Sequence, residues 1–172
     1  MQIRLYNLAS SKYALENVER NRVKISRIDD LNDPFELLPA NLGDPGERKL
    51  LRQFKTSFDR AYGIHCFSRS WNNPVLWSHY GGKHAGVCLG FDVDARCAFP
   101  VSYVDSLKQF DFAAIDAAQK GRLDFAREEV RQLISTKFRY WNYEDEMRVF
   151  VELDHSTAQD GLYFSDFGPQ LQ

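Results

Sequence analysis

The run Trp141-Asn142-Tyr143-Glu144-Asp145-Glu146-Met147-Arg148-Val149-Phe150-Val151 constrains the fold of this chain more than any other stretch. Two carboxylates and an arginine occupy alternate positions and lead into a β-prone segment. Residues two apart on a strand share a face. The spacing therefore predicts Glu144, Glu146 and Arg148 on one side, and Tyr143, Met147, Val149 and Val151 on the other. Three charges on one face are costly unless they are solvated or used. Either this is an edge strand whose charges discourage edge pairing, or the strand start is the chemical centre of the protein. Residue pattern alone leaves both open.

Alternation and turn chemistry place the other elements. Residues 2–6 and 22–26 read as short strands, with a helix over roughly 12–20 between them. Leu31-Asn32-Asp33-Pro34-Phe35-Glu36 carries turn chemistry, and 39–46 reads as a loop. Leu50, Leu51, Phe54 and Phe58 recur at helical spacing and predict a helix from Glu47 to Ala61. Residues 63–68 form a core strand, 75–80 a short helix, and Gly81-Gly82 its stop. The strand over 86–93 is nearly all apolar, so it is expected to be buried on both faces, its glycines marking close backbone approach. A short strand over 100–104, helical character over 112–136 and a last strand over 161–164 follow, with a frayed tail after Gly168. The balance predicts an α+β fold: one domain spanning 1–172, a mixed β-sheet core and peripheral helices.

With 172 residues, 44% hydrophobic and 27% charged, the chain suits one soluble globular domain. A formal charge of −2 gives no global attraction to nucleic acid or membrane. No apolar run approaches the roughly 18–20 residues needed to span a bilayer. Met1 to Tyr6 reads as a strand rather than a signal peptide. Cys66, Cys88 and Cys97 fit no zinc or redox spacing, and a reducing cytoplasm is the expected compartment. His79, His84 and Cys88 are metal ligands by type but do not share a face, so no metal site is expected. Cys66 beside His65 is not a dyad, because strand neighbours point apart.

Six ordered blocks resemble a bacterial domain family of unknown function: Leu5-Tyr6, Leu31 to Glu36, Cys66-Phe67-Ser68, Trp77-Ser78-His79-Tyr80, His84 to Phe91, and Trp141-x-Tyr143-Glu144-x-Glu146-x-Arg148. More remotely, Leu5-Tyr6-Asn7, Gly63-Ile64-His65-Cys66-Phe67-Ser68 and Glu144-Asp145-Glu146 are similar to three motifs of ADP-ribosyltransferases. Asn7 stands where those folds carry His or Arg, and no Gly follows it. The resemblance implies an ADP-ribosyltransferase-like sheet, NAD as substrate, and a macromolecular acceptor that is protein or nucleic acid. It implies Glu146 as the catalytic carboxylate, with Glu144 orienting or deprotonating the acceptor. Tyr6, Asn7, His65, Phe67, Ser68, Trp77 and Tyr80 would contact the NAD. Arg148 would hold Glu146 ionised or meet a phosphate. By analogy with small bacterial transferases it also implies a toxin or phage-defence role, with an antitoxin or immunity protein as partner. Two other expectations stand beside it: a binding module on a degenerate transferase-like fold, and a nuclease holding a divalent ion among Asp33, Glu36, Glu144 and Glu146.

Overall fold

The computed structural model describes residues 1–33, 43–106, 110, 125 and 127–167. Pro34 to Glu36, most of the expected 112–136 helix and the tail after Gly168 lie outside them. The fold is α+β. Its centre is a five-stranded antiparallel sheet of β1 (Gln2–Ala9), β3 (Tyr62–Ser68), β4 (Val87–Asp94), β5 (Ala98–Pro100) and β8 (Glu146–Glu152), in the order β4-β1-β3-β8-β5. Two small sheets flank it. One pairs β2 (Arg22–Ile25) with β9 (Tyr163–Asp166) antiparallel, and the other pairs β6 (Ser102–Val104) with β7 (Thr136–Phe138) in parallel. The helices are α1 (Ser11–Glu19), α2 (Pro45–Ala61), α3 (Pro74–His79) and α4 (Glu128–Ile134).

Alternation along β3 and β8 sorts the core onto two faces. Ile64 and Phe150 join Leu51, Phe54 and Phe58 of α2 and Val130, Leu133 and Ile134 of α4. Phe67, Met147 and Val149 point the other way and pack with Leu5 and Ala98. α2 begins at Pro45, two residues earlier than its apolar periodicity suggests. Asp44 caps it, accepting from the Glu47 backbone N–H at 2.9 Å, and proline suits the first helical position.

Three expectations are corrected. First, β4 is not buried on both faces. It is the outer strand beside β1, and Leu89 alone along it is fully buried. Its apolar run faces partial cover rather than a second layer. The expected close approach does occur at Gly86, where a Cβ would lie 2.3 Å from the Ala9 carbonyl oxygen. Second, helical character ends at Ile134, and Thr136 already pairs with Ser102. Third, residues 139–144 are a 3₁₀ turn rather than the start of a strand. Asp145 follows in the left-handed region at φ 44°, its N–H returning to the Asn142 carbonyl at 3.2 Å. Asp tolerates that conformation better than most residues, and Arg69 Nε donates to its carboxylate at 2.8 Å. The strand proper starts at Glu146, between β3 and β5, so its charges do not lie on a solvated edge.

Candidate functional site

Cross-strand register assembles the site. Tyr6 of β1 pairs with Ser68 of β3, and Ser68 pairs with Glu146 of β8. Directly paired residues share a face, so Tyr6, Ser68 and Glu146 form one row across three strands. Gly90 of β4 extends the row beside Tyr6, and a Cβ there would come 3.6 Å from the tyrosine ring. Tyr6–Ser68 is the one registered pair between β1 and β3. Past it the strands part. The Asn7 side-chain amide spans the opening to the Cys66 carbonyl at 3.4 Å, and Ser26 bonds both ways with the Ile64 backbone. A cavity of about 280 Å³ occupies the gap, running from Lys24, Asp30 and Asn32 to Tyr80, Glu144 and Glu146.

The inner end is a buried charge cluster. Lys137 of β7 donates to Glu144 at 2.7 Å and reaches Glu146 at 2.8 Å. Arg148 Nε donates to Glu146 Oε1 at 2.9 Å, while Nη1 donates to the Ile134 carbonyl at 2.5 Å. Arg148 is fully buried, and Lys137, Glu144 and Glu146 are nearly so. Among the described residues, two acids and two bases balance here, which offsets the cost of burying four charges. Burial alone would raise the Glu146 carboxyl. The charges and hydrogen bonds of Arg148 and Lys137 outweigh it and hold the group down at about 2.

Tyrosines complete the frame. Tyr80 donates its hydroxyl to Glu144 and accepts from the Asn32 amide at 2.5 Å. Burial, then the Glu144 carboxylate, push that hydroxyl far above its ordinary range. Tyr103 of β6 accepts from the Glu146 backbone N–H at 2.9 Å, and burial pushes its hydroxyl up to about 12. Both therefore act as neutral hydrogen-bonding groups. Burial, and then Glu146, also raise the Cys66 thiol well above its usual range, which removes it as a ready nucleophile.

The structure gathers Tyr6, Asn7, His65, Phe67, Ser68, Tyr80, Glu144 and Glu146 around this one cavity. The group is not uniform. Phe67 packs into the opposite face with Leu5 and Met147. His65, two residues along the strand, bonds Ser165 at 2.8 Å, and burial lowers its imidazole to about 4. Trp77 is absent from the lining; its indole N–H donates to the Trp71 carbonyl at 2.7 Å. Arg148 lies behind Glu146 with no exposed surface, so of its two expected roles the geometry leaves holding Glu146, not meeting a phosphate. Sequence reasoning missed Lys137 and Tyr103. Lys137 fell just past the stretch read as helical, in a segment assigned to no element, where a lone lysine carries no signal of its own.

Among the described residues, no group of three or more His, Cys, Asp or Glu is arranged to hold a metal ion. Glu36 lies outside those residues, and a cation between Glu144 and Glu146 would first have to displace the Lys137 ammonium. No helix among the described residues is long and apolar enough to cross a membrane.

Residues 76–149 match the model of a family described as a protein of unknown function, DUF2971. The resemblance to a family of unknown function is thereby confirmed over that stretch. It includes Tyr80, Lys137, Glu144, Glu146 and Arg148, four charges and a tyrosine that the fold brings to one point. No curated protein and no solved structure matches the chain.

Proposed function

We propose that this chain is an NAD-dependent ADP-ribosyltransferase with Glu146 as its catalytic carboxylate. The observation that carries this is the Tyr6–Ser68–Glu146 row at the point where β1 and β3 part over a cavity. A volume of about 280 Å³ is at the low end for ligand sites. It suits the nicotinamide–ribose half of NAD rather than the whole dinucleotide. Cleaving the bond from ribose C1′ to the nicotinamide nitrogen sends the electron pair out with nicotinamide and leaves positive charge on the ribose. A carboxylate that stays ionised in a dry, fixed frame stabilises such charge without having to reorganise. Glu146 has that character, and Glu144 lies within reach of the same lysine to take the proton of an attacking acceptor. Tyr6 and Tyr80 supply planar faces on the cavity wall. The acceptor is a macromolecule, protein or nucleic acid. A toxin or phage-defence role in the cytoplasm, with a cognate antitoxin or immunity protein, belongs to the same proposal by analogy alone.

The test is incubation of the protein with NAD labelled in its adenosine half, with and without bacterial lysate. Release of nicotinamide with transfer of label, both lost in Glu146→Gln, is the expected result. Folded protein that neither releases nicotinamide nor transfers label at saturating NAD refutes the proposal.

One observation favours a second function, a nucleotide-binding module without turnover. Glu146 is only 4% exposed and already engaged by two cations. That protein would bind NAD in calorimetry and leave it intact, and Glu146→Gln would bind as well as wild type.

A further inference from the structure

Tyr103 and Lys137 are register partners in the parallel β6–β7 pair, and both reach Glu146. Tyr103 takes the Glu146 backbone N–H, and Lys137 takes its carboxylate. The small sheet therefore grips Glu146 at backbone and side chain together. Lys137 then extends the grip to Glu144, whose other oxygen accepts from Tyr80. We propose that Lys137, set by its register with Tyr103, is the positioning residue that holds Glu144 and Glu146 side by side as two carboxylates facing one cavity. The role deepens the transferase proposal, on which its catalytic part rests; the charge arrangement itself does not depend on what the cavity binds.

The physical need is plain. Two carboxylates that share one site without a cation cannot both stay ionised, and one of them takes a proton. Arg148 lies on the Glu146 side, and its bonds there leave Glu144 to Lys137 and Tyr80. Among the described residues, Cys66 of β3, Tyr80 at the end of α3, Tyr103 of β6 and Tyr143 of the 3₁₀ turn are further titratable groups near the pair, and all four are pushed toward their neutral forms. Among the described residues, Lys137 is thus the cation common to both acids. Its ammonium also lies 5.5 Å from the centre of the Trp141 ring, a weaker hold on the same charge.

The experiment reads the carboxyl groups directly. Wild type, Lys137→Met and Lys137→Arg are labelled with ¹³C at glutamate Cδ and titrated by NMR, with Glu144→Gln and Glu146→Gln assigning the two signals. In Lys137→Met, at least one of the two midpoints should rise by roughly 1 to 3 pH units, and Lys137→Arg should restore most of it. Nicotinamide release should move its acid limb up by the same amount, with kcat falling more than KM rises. Midpoints unchanged in Lys137→Met overturn the proposal. If Lys137→Met does not fold, Lys137→Met with Glu144→Gln should, because it removes the like-charge clash; if that fares no better, the proposal is again overturned. A shifted titration in a protein that never cleaves NAD leaves Lys137 in this role and sinks the transferase reading alone.

Discussion

Arg148→Met tests the buried cluster without reference to any ligand. Methionine keeps most of the side-chain length and removes the guanidinium. The loss includes the Nε bond to Glu146 at 2.9 Å, the longer Nη2 contact at 3.4 Å and the Nη1 bond to the Ile134 carbonyl at 2.5 Å. Breaking a buried ion pair from one side costs about 3–5 kcal/mol, because the remaining charge stays buried. Lys137 still reaches Glu146 at 2.8 Å, which argues for the lower half of that range. The lost donor to Ile134 adds on the order of 1 kcal/mol. The sum is about 4–5 kcal/mol; for a chain of this length 1 kcal/mol moves the melting point by roughly 2–4 °C, so a fall of about 8–20 °C is expected. Urea unfolding at pH 7 measures the same loss, and Glu146→Gln in the Arg148→Met background should return part of it, giving a coupling above about 1 kcal/mol. A loss below about 1 kcal/mol, or strict additivity of the two substitutions, would refute the view that Arg148 exists to hold Glu146.

Two further predictions concern pH and packing. Burial holds the native His65 imidazole at about 4, below its ordinary 6.5. The unfolded chain therefore binds a proton that the native state refuses, and stability falls as pH drops from about 6.5 to about 4, by on the order of 3 kcal/mol. His65→Gln should flatten that part of the urea-midpoint profile; an unchanged slope would assign it elsewhere. Gly63→Ala would put a Cβ 2.1 Å from Ile25 Cγ2 on β2, and should cost about 1–3 kcal/mol by overpacking; a neutral melt would mean that β2 moves aside freely.

The sequence made much of this site legible because its signals are local. The alternation in Met147–Val151 marked β8, and the helical spacing of Leu51, Phe54 and Phe58 marked the buried face of α2. The pairing of Glu146 with Arg148 also follows from period-two spacing along one strand. Glu144 was correctly grouped with them for an incomplete reason. It arrives from a 3₁₀ turn through a left-handed Asp145, and Lys137, not strand alternation, ties it to Glu146. Lys137, Tyr103 and the parting of β1 from β3 were hidden because each depends on register between distant segments. An apolar run such as Val87–Asp94 tells how hydrophobic a strand is, but not whether a second layer covers it. Trp77 looked like a stacking surface in sequence, yet its indole is turned to the Trp71 carbonyl.

The central claim is that Glu146 faces the reacting ribose in the gap between β1 and β3. A crystal structure of Glu146→Gln grown with saturating NAD tests it most directly, since the variant keeps the shape of the site and spares the ligand. The account predicts nicotinamide and ribose density between Tyr6, Ser68 and Tyr80, with a ribose hydroxyl within hydrogen-bond reach of residue 146. NAD bound elsewhere on the protein, or an empty gap in crystals whose protein binds NAD in solution, would contradict it.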